Sequence, residues 1–364
     1  MTSATQEALF LTSKGGEFAV RSTSVYSPGV DQVLARVNAT GLNPVEWKIK
    51  DHLHDWPRVV YPAILGTDGA GVVDEVSRRR RHQPQEGRSD VRALSAPQPS
   101  VWEGLYTNEL ATYQQYALVF ADLASKIPDN VTEDEAASLP MTIATACLGM
   151  YNKNKDGQHG GGAERTPFWK SSTRYAGQPF IVLGGATSIG QFAIQFARLS
   201  SFSPIIVTAS EKYTDWLKSL GATHILPRSL SAAAVRAEVE RLTTQPISIV
   251  YDTVGSTDTQ KTGWSLLAPG GQMILVAAEP VEGIEHKKDG KEIVSVFGNV
   301  HAGQQDAGRE LFARLGQLLE NGSIKPNRVQ VLPHGLAGIP DGLELLGPDK
   351  VSGVKLIAHP HESA

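Results

Sequence analysis

The chain has 364 residues, 41% of them hydrophobic and 20% charged, with a formal charge of -4 at pH 7. That length exceeds what one core usually supports, so two domains are expected of an otherwise ordinary globular composition. The mild acidity argues against nucleic acid or an anionic membrane as partner, no apolar run reaches the ~18 residues that cross a bilayer, and the lone cysteine, Cys147, excludes an internal disulfide.

The first residues, Met1 to Glu7, carry neither a basic n-region nor an apolar h-region, which points to a cytoplasmic protein. Residues 8–11 and 33–40 read as strands, the second alternating apolar and polar side chains as a half-buried strand does. Gly41-Leu-Asn-Pro-Val-Glu-Trp-Lys48 turns the chain. Tyr61 to Val76 is an apolar β segment interrupted by glycines that demand bends or close backbone approach, so an irregular β domain is expected. Ser77 to Arg92, with the run Arg78 to Arg81, reads as a solvated loop. Ala111 to Val119 reads as a strand. Thr132-Glu-Asp-Glu135 is a capping box opening a helix, and Cys147 sits in the apolar stretch that follows as a packed core residue. Asn152 to Gln178 reads as a surface loop. Its Gly160-Gly-Gly162 is linker rather than phosphate cradle, because no strand precedes it.

Ile181-Val-Leu-Gly-Gly-Ala-Thr-Ser-Ile-Gly190 has the form of a buried strand, a small-residue turn and a helix start, with Phe192, Ile194, Phe196, Ala197 and Leu199 as the apolar helical face. Backbone N-H groups in such a turn can meet a pyrophosphate at the positive helix end. Gly185 and Gly190 fill the outer places of G-x-G-x-x-G, but Thr187 stands in the middle one, so alone the stretch reads equally as a dinucleotide site or a tightly packed turn. In the first case Gly185, Ala186, Thr187, Ser188, Ile189 and Gly190 line the phosphates, and the Thr187 hydroxyl replaces the closest backbone approach. The next strand, Ile205 to Ser210, ends where NAD enzymes place a carboxylate for the ribose. Here Ser210, Lys212 and, after His224-Ile-Leu-Pro227, Arg228 offer a donor and two cations suited to a 2'-phosphate, with Tyr213 covering the adenine edge; NADPH is the expected cofactor. Two further strands, Ile247 to Gly255 and Gly271 to Ala278, complete an α/β doubly wound parallel sheet. Asp252, at a strand end, reads equally as a turn cap or a ligand contact.

Gly41-Leu-Asn-Pro-Val-Glu-Trp-Lys48, Leu65-Gly-Thr-Asp-Gly-Ala-Gly-Val-Val73, Gly184 to Gly190, Ser219-Leu-Gly-Ala-Thr-His224, Asn321-Gly-Ser-Ile-Lys-Pro-Asn327 and Lys350-Val-Ser-Gly-Val-Lys355 follow one another in an order that resembles the medium-chain dehydrogenase/reductase superfamily. The resemblance is closest to its zinc-independent quinone oxidoreductase and fungal trans-acting enoyl reductase branch, and it covers nearly the whole chain. It implies a GroES-like β domain over 1–128, a Rossmann NADPH-binding domain over 129–295 and a return to the first domain over 296–364, carried by a helix at Leu311 to Leu319. The 77–92 segment departs from the family's usual strand. The resemblance also implies cofactor contacts from Val45, Glu46, Trp47 and Lys48, from Val254, Val276, Ala277 and Ala278, and from Asn299, Val300, Val351 and Ser352. It implies catalytic roles for Asn43 and Lys48 beside the nicotinamide ribose and for Thr145 at the carboxamide, with Lys48 the favoured charge stabiliser.

Zinc enzymes of the superfamily hold their metal at positions that correspond to Asn43, Thr67 and Asp68. Those side chains do not make a three-ligand zinc site. His52 and His54 lie on a loop, and His359 and His361 in a terminal tail expected to be solvated, so no metal is expected. Without a Lewis acid the acceptor must already be electrophilic: an enoyl thioester or enone, or alternatively a quinone, with His54, Tyr61 or solvent as proton donor. A non-catalytic NADPH-binding protein is the alternative from another class. The expected partners are a small-molecule or carrier-bound substrate, in the enoyl case supplied by a polyketide synthase, with a monomer or homodimer as the assembly.

Overall fold

The computed structural model describes residues 4–52, 59–76, 98–156, 160–276, 279–301, 303–347 and 350–362. The run Arg78 to Arg81, His54, Ala277 and Ala278 lie outside the described residues. The chain divides into two compact units, one formed by 1–141, 300–322 and 326–364, the other by 142–299 and 323–325.

The first unit is largely β. Its strands are β1 (Thr5–Leu11), β2 (Phe18–Ser24), β3 (Gln32–Gly41), β4 (Ala63–Ile64), β5 (Asp68–Val76), β6 (Pro99–Glu103), β7 (Tyr116–Phe120) and β8 (Ala124–Lys126), with helices α1 (Pro44–Asp51) and α2 (Glu133–Ala137). The alternation in β3 sorts its side chains as the sequence predicts. Val33, Ala35 and Val37 pack with Val73, Trp102, Ala117 and Val119, whereas Leu34 turns to the opposite face with Leu110 and Leu118. Capping at α2 also follows the sequence: the Thr132 hydroxyl accepts from the Glu135 amide at 3.2 Å and Glu135 accepts from the Thr132 amide at 2.9 Å.

The stretch from Gly41 to Lys48 is not a simple turn. Asn43 is the N-cap of α1, Pro44 occupies its first turn, and Glu46 accepts from the Asn43 amide at 2.5 Å. The signal was the spacing Asn-Pro-x-Glu, which supplies the start of a helix. The strand expected over Ala111 to Val119 begins only at Tyr116. Before it, the backbone serves two partners rather than one ladder: Thr112 and Tyr113 donate to Gly66 and Leu65, and the Tyr113 carbonyl accepts from Leu9.

Helix α3 (Pro140–Tyr151) holds Cys147, which is buried. In the second unit follow β9 (Phe180–Leu183), α4 (Ser188–Leu199), β10 (Ile205–Ala209), α5 (Thr214–Leu220), β11 (His224–Pro227), α6 (Ala232–Leu242), β12 (Ile249–Asp252), α7 (Thr257–Leu266), β13 (Gln272–Val276) and β14 (Glu292–Val296). The six strands form one parallel sheet in the order β11-β10-β9-β12-β13-β14. Strand order reverses between β9 and β12, which opens the ligand crevice of a Rossmann sheet at the carboxyl end of β9. Its centre is dry: Phe180 to Leu183 are at most 1% exposed, and Phe192, Ile194 and Phe196 of α4 are fully buried. The stretch before β9 is more than a surface loop. Tyr175 is buried and stacked on Phe202 at 4.7 Å, and the Gly160 and Gly161 amides donate to the Ser295 carbonyl. Aromatic area supplies here the burial that a Gly- and Ser-rich composition conceals.

The chain then adds α8 (Gln305–Glu320), β15 (Val329–Val331), α9 (Gly335–Leu346) and β16 (Lys355–Ala358) to the first unit. There β16 pairs with β3 and completes a sheet in the order β15-β16-β3-β5-β6-β8, with β7 also on β3. The tail beyond β16 is anchored, not solvated. His359 Nε2 lies 2.7 Å from Asp134, its Nδ1 lies 2.8 Å from Glu362, and His361 bonds the Gln115 carbonyl. Burial disfavours the His359 charge, but Glu362 and Asp134 outweigh it and raise the pKa. A raised histidine pKa stabilises the fold fully below the unfolded value near 6.5 and loses that contribution as pH rises through the folded value. His359→Gln is therefore expected to cost about 1 kcal/mol at pH 5.5 and less at pH 8.5, read from urea midpoints of both proteins across that range.

Candidate active site

In the first unit, Asn43 caps α1, Asp68 opens β5 and Lys355 opens β16, and the three side chains close on one another. Lys355 Nζ lies 2.7 Å from Asp68 Oδ2 and 2.5 Å from Asn43 Oδ1. Asn43 Nδ2 donates to Asp68 Oδ2 at 2.9 Å and more distantly to Thr67 Oγ1 at 3.3 Å. The other Asp68 oxygen accepts from the Met141 amide at 2.6 Å. Strand register makes this possible, since Gly41 of β3 pairs with Asp68 on one side and Ile357 on the other. A Cβ at Gly41 would meet Lys355 Cε at 3.0 Å and Asp68 Cβ at 3.1 Å. Bare backbone at that point lets the charges meet.

The donor set therefore does not fit zinc. Asn43, Thr67 and Asp68 face an ammonium, and a divalent cation beside it would meet like charge. Among the described residues no group of three His, Cys, Asp or Glu could hold a metal. Lys355 is not among the site residues the sequence predicts, although a lysine within the apolar run Lys-Leu-Ile-Ala is a signal of a buried, partnered charge.

Two more carboxyl groups are buried in this unit. Glu46 is raised to about 8, chiefly by burial, with Lys355 opposing and Asp68 reinforcing the shift; Tyr106 Oη donates to it at 3.4 Å. Glu103 is also raised, by burial and then by Asp68. Both of these acids are pushed toward the neutral form. The Glu46 carboxyl is engaged by the α1 cap and Tyr106 and so points into the unit.

Lys48 lies on α1 half-buried, with no ion-pair partner among the described residues. Val45, Trp47, Tyr61 and Val351 pack partly buried against the core that contains Leu42 and Ile49, and Trp47 meets His52 edge-on at 5.3 Å. Ser352 is exposed. Val300 is fully buried, its amide 3.4 Å from Glu103 Oε1.

In the second unit, β9 leads through Gly184, at φ 85°, into α4. A Cβ at Gly185 would collide with Val207, and one at Gly190 with the Gly184 carbonyl, so both glycines are required for the close turn. Thr187 is the N-cap of α4. Its Oγ1 accepts from the Gly190 amide at 2.9 Å and lies 2.9 Å from Thr253 Oγ1. Thr253 Oγ1 is in turn within 2.8 and 2.9 Å of the Leu183 and Gly184 carbonyls, which can only accept. Its proton goes to one of them, so Thr187 must donate to Thr253. In this structure the Thr187 hydroxyl ties the turn to the chain after β12. The amides of Ser188 and Ile189 at the start of α4 have no acceptor among the described residues, and they fit the pyrophosphate of a dinucleotide. Ala186 lies in the same turn, its carbonyl accepting from Gln191.

Beyond β10, Ser210 is half-buried, Lys212 lies 5.0 Å over the buried Tyr213 ring, and Arg228 is exposed with its amide on the Ala209 carbonyl. Parallel pairing of Ala209 with Pro227 brings these groups to one edge. Val254 is 50% exposed after β12, and Val276 ends β13. Asp252 caps the turn, accepting from the Val254 and Gly255 amides at 3.0 Å each. Thr145 is buried on α3 and Asn299 is buried after β14.

Removing Lys355 would leave Asp68 buried without its counter-charge. Lys355→Met is expected to destabilise the protein by about 3–5 kcal/mol in urea unfolding, and Lys355→Met with Asp68→Asn by less, because the stranded charge is then gone.

Comparison with known proteins agrees with both units. Residues 29–129 match the alcohol dehydrogenase GroES-like domain and residues 188–305 the family called zinc-binding dehydrogenase. The chain is 28% identical over 371 residues to the trans-enoyl reductase ACTTS2 of Alternaria alternata, covering 97% of this chain and 98% of that protein. It is 30% identical to the trans-enoyl reductase tazE of Aspergillus terreus, over 60% of this chain and 67% of that protein. The fold of the quinone oxidoreductase from Coxiella burnetii superposes with a TM-score of 0.69 at 18% identity, over 97% of this chain and 99% of that one. With an ammonium among the positions that would bind metal and a dinucleotide turn at the sheet's switch point, the chain belongs to the medium-chain dehydrogenase/reductase superfamily, in its zinc-independent quinone oxidoreductase and fungal trans-enoyl reductase branch, and is an NAD(P)H-dependent oxidoreductase.

Proposed function

We propose that the protein is an NADPH-dependent reductase that transfers hydride to an activated carbon-carbon double bond, that of an enoyl thioester or enone. The observation that carries this reading is the Asn43-Asp68-Lys355 cluster. It fills with a lysine charge the donor set that would otherwise hold a Lewis acid. An unactivated alcohol or ketone then lacks its polarising metal, whereas a conjugated carbonyl is already polarised and needs only hydrogen-bond donors for its developing oxyanion. The named trans-enoyl reductases support that choice of acceptor over a quinone, and a carrier-bound thioester from a polyketide synthase is the substrate form it suggests.

The nicotinamide supplies the hydride when bound. Of this chain's residues, Lys48, which has no ion-pair partner among the described residues, offers its ammonium to the ribose or the oxyanion, and Thr145 holds the carboxamide. Asn43 has a different part from the one its position first suggests: both its amide hydrogens go to Asp68 and Thr67, so it orders α1 and thereby Lys48 rather than donating to a substrate. Ser188 and Ile189 amides bind the pyrophosphate, and Ser210, Lys212 and Arg228 take the 2'-phosphate, since Ser210 rather than a carboxylate follows Ala209, the last residue of β10, with Glu211 only after it.

Purified protein should oxidise NADPH with enoyl thioesters or enones. Turnover with 1,2-naphthoquinone alone would move the reading to quinone reduction. Lys48→Ala should lower kcat at least about tenfold, the loss of one charge-assisted hydrogen bond. Lys212→Glu should weaken NADPH at least about tenfold relative to NADH, by the same measure; an unchanged ratio of the two Kd values would remove Lys212 from the cofactor assignment.

A further inference from the structure

Thr145 is held from two sides within the second unit. Tyr251 of β12 is fully buried and its hydroxyl donates to the Thr145 carbonyl at 2.9 Å, across the helix face where Gly149 leaves it room. That bond is an extra one for a carbonyl already inside α3, so it fixes the height of this helical turn against the sheet. On the other side, the bare backbone of Gly298, two residues beyond β14, lies against the Thr145 side chain. A Cβ at Gly298 would coincide with Thr145 Oγ1 and would stand 2.8 Å from its Cβ and 3.2 Å from its Cα. Rotating the Thr145 side chain would relieve only the first of these overlaps. Either α3 or the 297–299 segment would have to move.

We propose that Tyr251 and Gly298 are positioning residues that set Thr145 for the nicotinamide end of the cofactor. The inference rests on the reading of Thr145 as the carboxamide ligand and of NADPH as the cofactor. It assigns cofactor affinity to two residues that need not touch the cofactor, through the placement of one that does. It also divides the dinucleotide: the adenosine half depends on the edge at Ser210 to Arg228, the nicotinamide half on this clamp.

The test is fluorescence titration of wild-type, Gly298→Ala, Tyr251→Phe, Thr145→Ala and Gly298→Ala/Thr145→Ala proteins with NADPH and with adenosine 2',5'-bisphosphate, which carries only the adenosine half. Gly298→Ala is expected to raise the Kd for NADPH about tenfold or more and to leave that for the bisphosphate within about twofold. Tyr251→Phe, which removes one hydroxyl, is expected to raise it about threefold with the same split. Once Thr145→Ala has removed the hydroxyl that the clamp places, displacement by Gly298→Ala has no carboxamide contact left to lose and should add less than about threefold, as coupled neighbours do. Equal loss of both ligands, no loss of either, or full additivity in the double variant would overturn the clamp. A wild-type protein that bound neither ligand would sink the cofactor reading and the inference with it, and is distinct from those outcomes.

Discussion

A buried ammonium organises the first unit. Lys355 enters β16 with 3% of its surface exposed, and such a charge persists away from water only if it is paired and hydrogen-bonded. Asp68 supplies the countercharge and Asn43 a second oxygen, so the start of β5, the start of α1 and the start of β16 are drawn to one point. The same point decides the chemistry. A fixed monovalent charge has neither the open coordination position nor the Lewis acidity of a zinc ion.

The surrounding acids show how narrowly that charge is balanced. Glu46 and Glu103 lie in the same interior and are pushed toward their neutral forms by burial. Glu46 serves α1 through its bond to the Asn43 amide, and the cap that starts the helix and the amide that meets Lys355 therefore belong to one residue, Asn43. Helix geometry and electrostatics are coupled there through Asn43, Glu46 and Lys355.

In the second unit the corresponding economy is of hydroxyl groups. Thr187 and Thr253 hand one proton each along a chain that ends on the carbonyls of Leu183 and Gly184. That chain shapes the turn, while the amides of Ser188 and Ile189 have no acceptor among the described residues. A threonine in a glycine place thus costs the site no backbone donor.

Much of this was legible from residues in order. The strand, turn and helix from Ile181 onward, the doubly wound sheet and the absence of a zinc donor set at Asn43, Thr67 and Asp68 follow from local pattern, because burial periodicity and glycine requirements are written residue by residue. The Asn-Pro-x-Glu helix start is equally local, although the stretch also reads as a turn, and the aromatic packing of Tyr175 is hidden in a Gly- and Ser-rich stretch. Other features had no local signature at all. That Lys355 meets a residue 312 positions earlier, that Thr187 bonds Thr253, and that His359 is tied to Asp134 depend on which strands and helices come together. The sequence by itself determined the two kinds of domain, the cofactor class and that Asn43, Thr67 and Asp68 are not a three-ligand zinc set. Tertiary structure alone decided where each polar group finds its partner, because a hydrogen bond or ion pair in the interior is settled by strand register and helix placement across the fold, not by the neighbours of either residue along the chain.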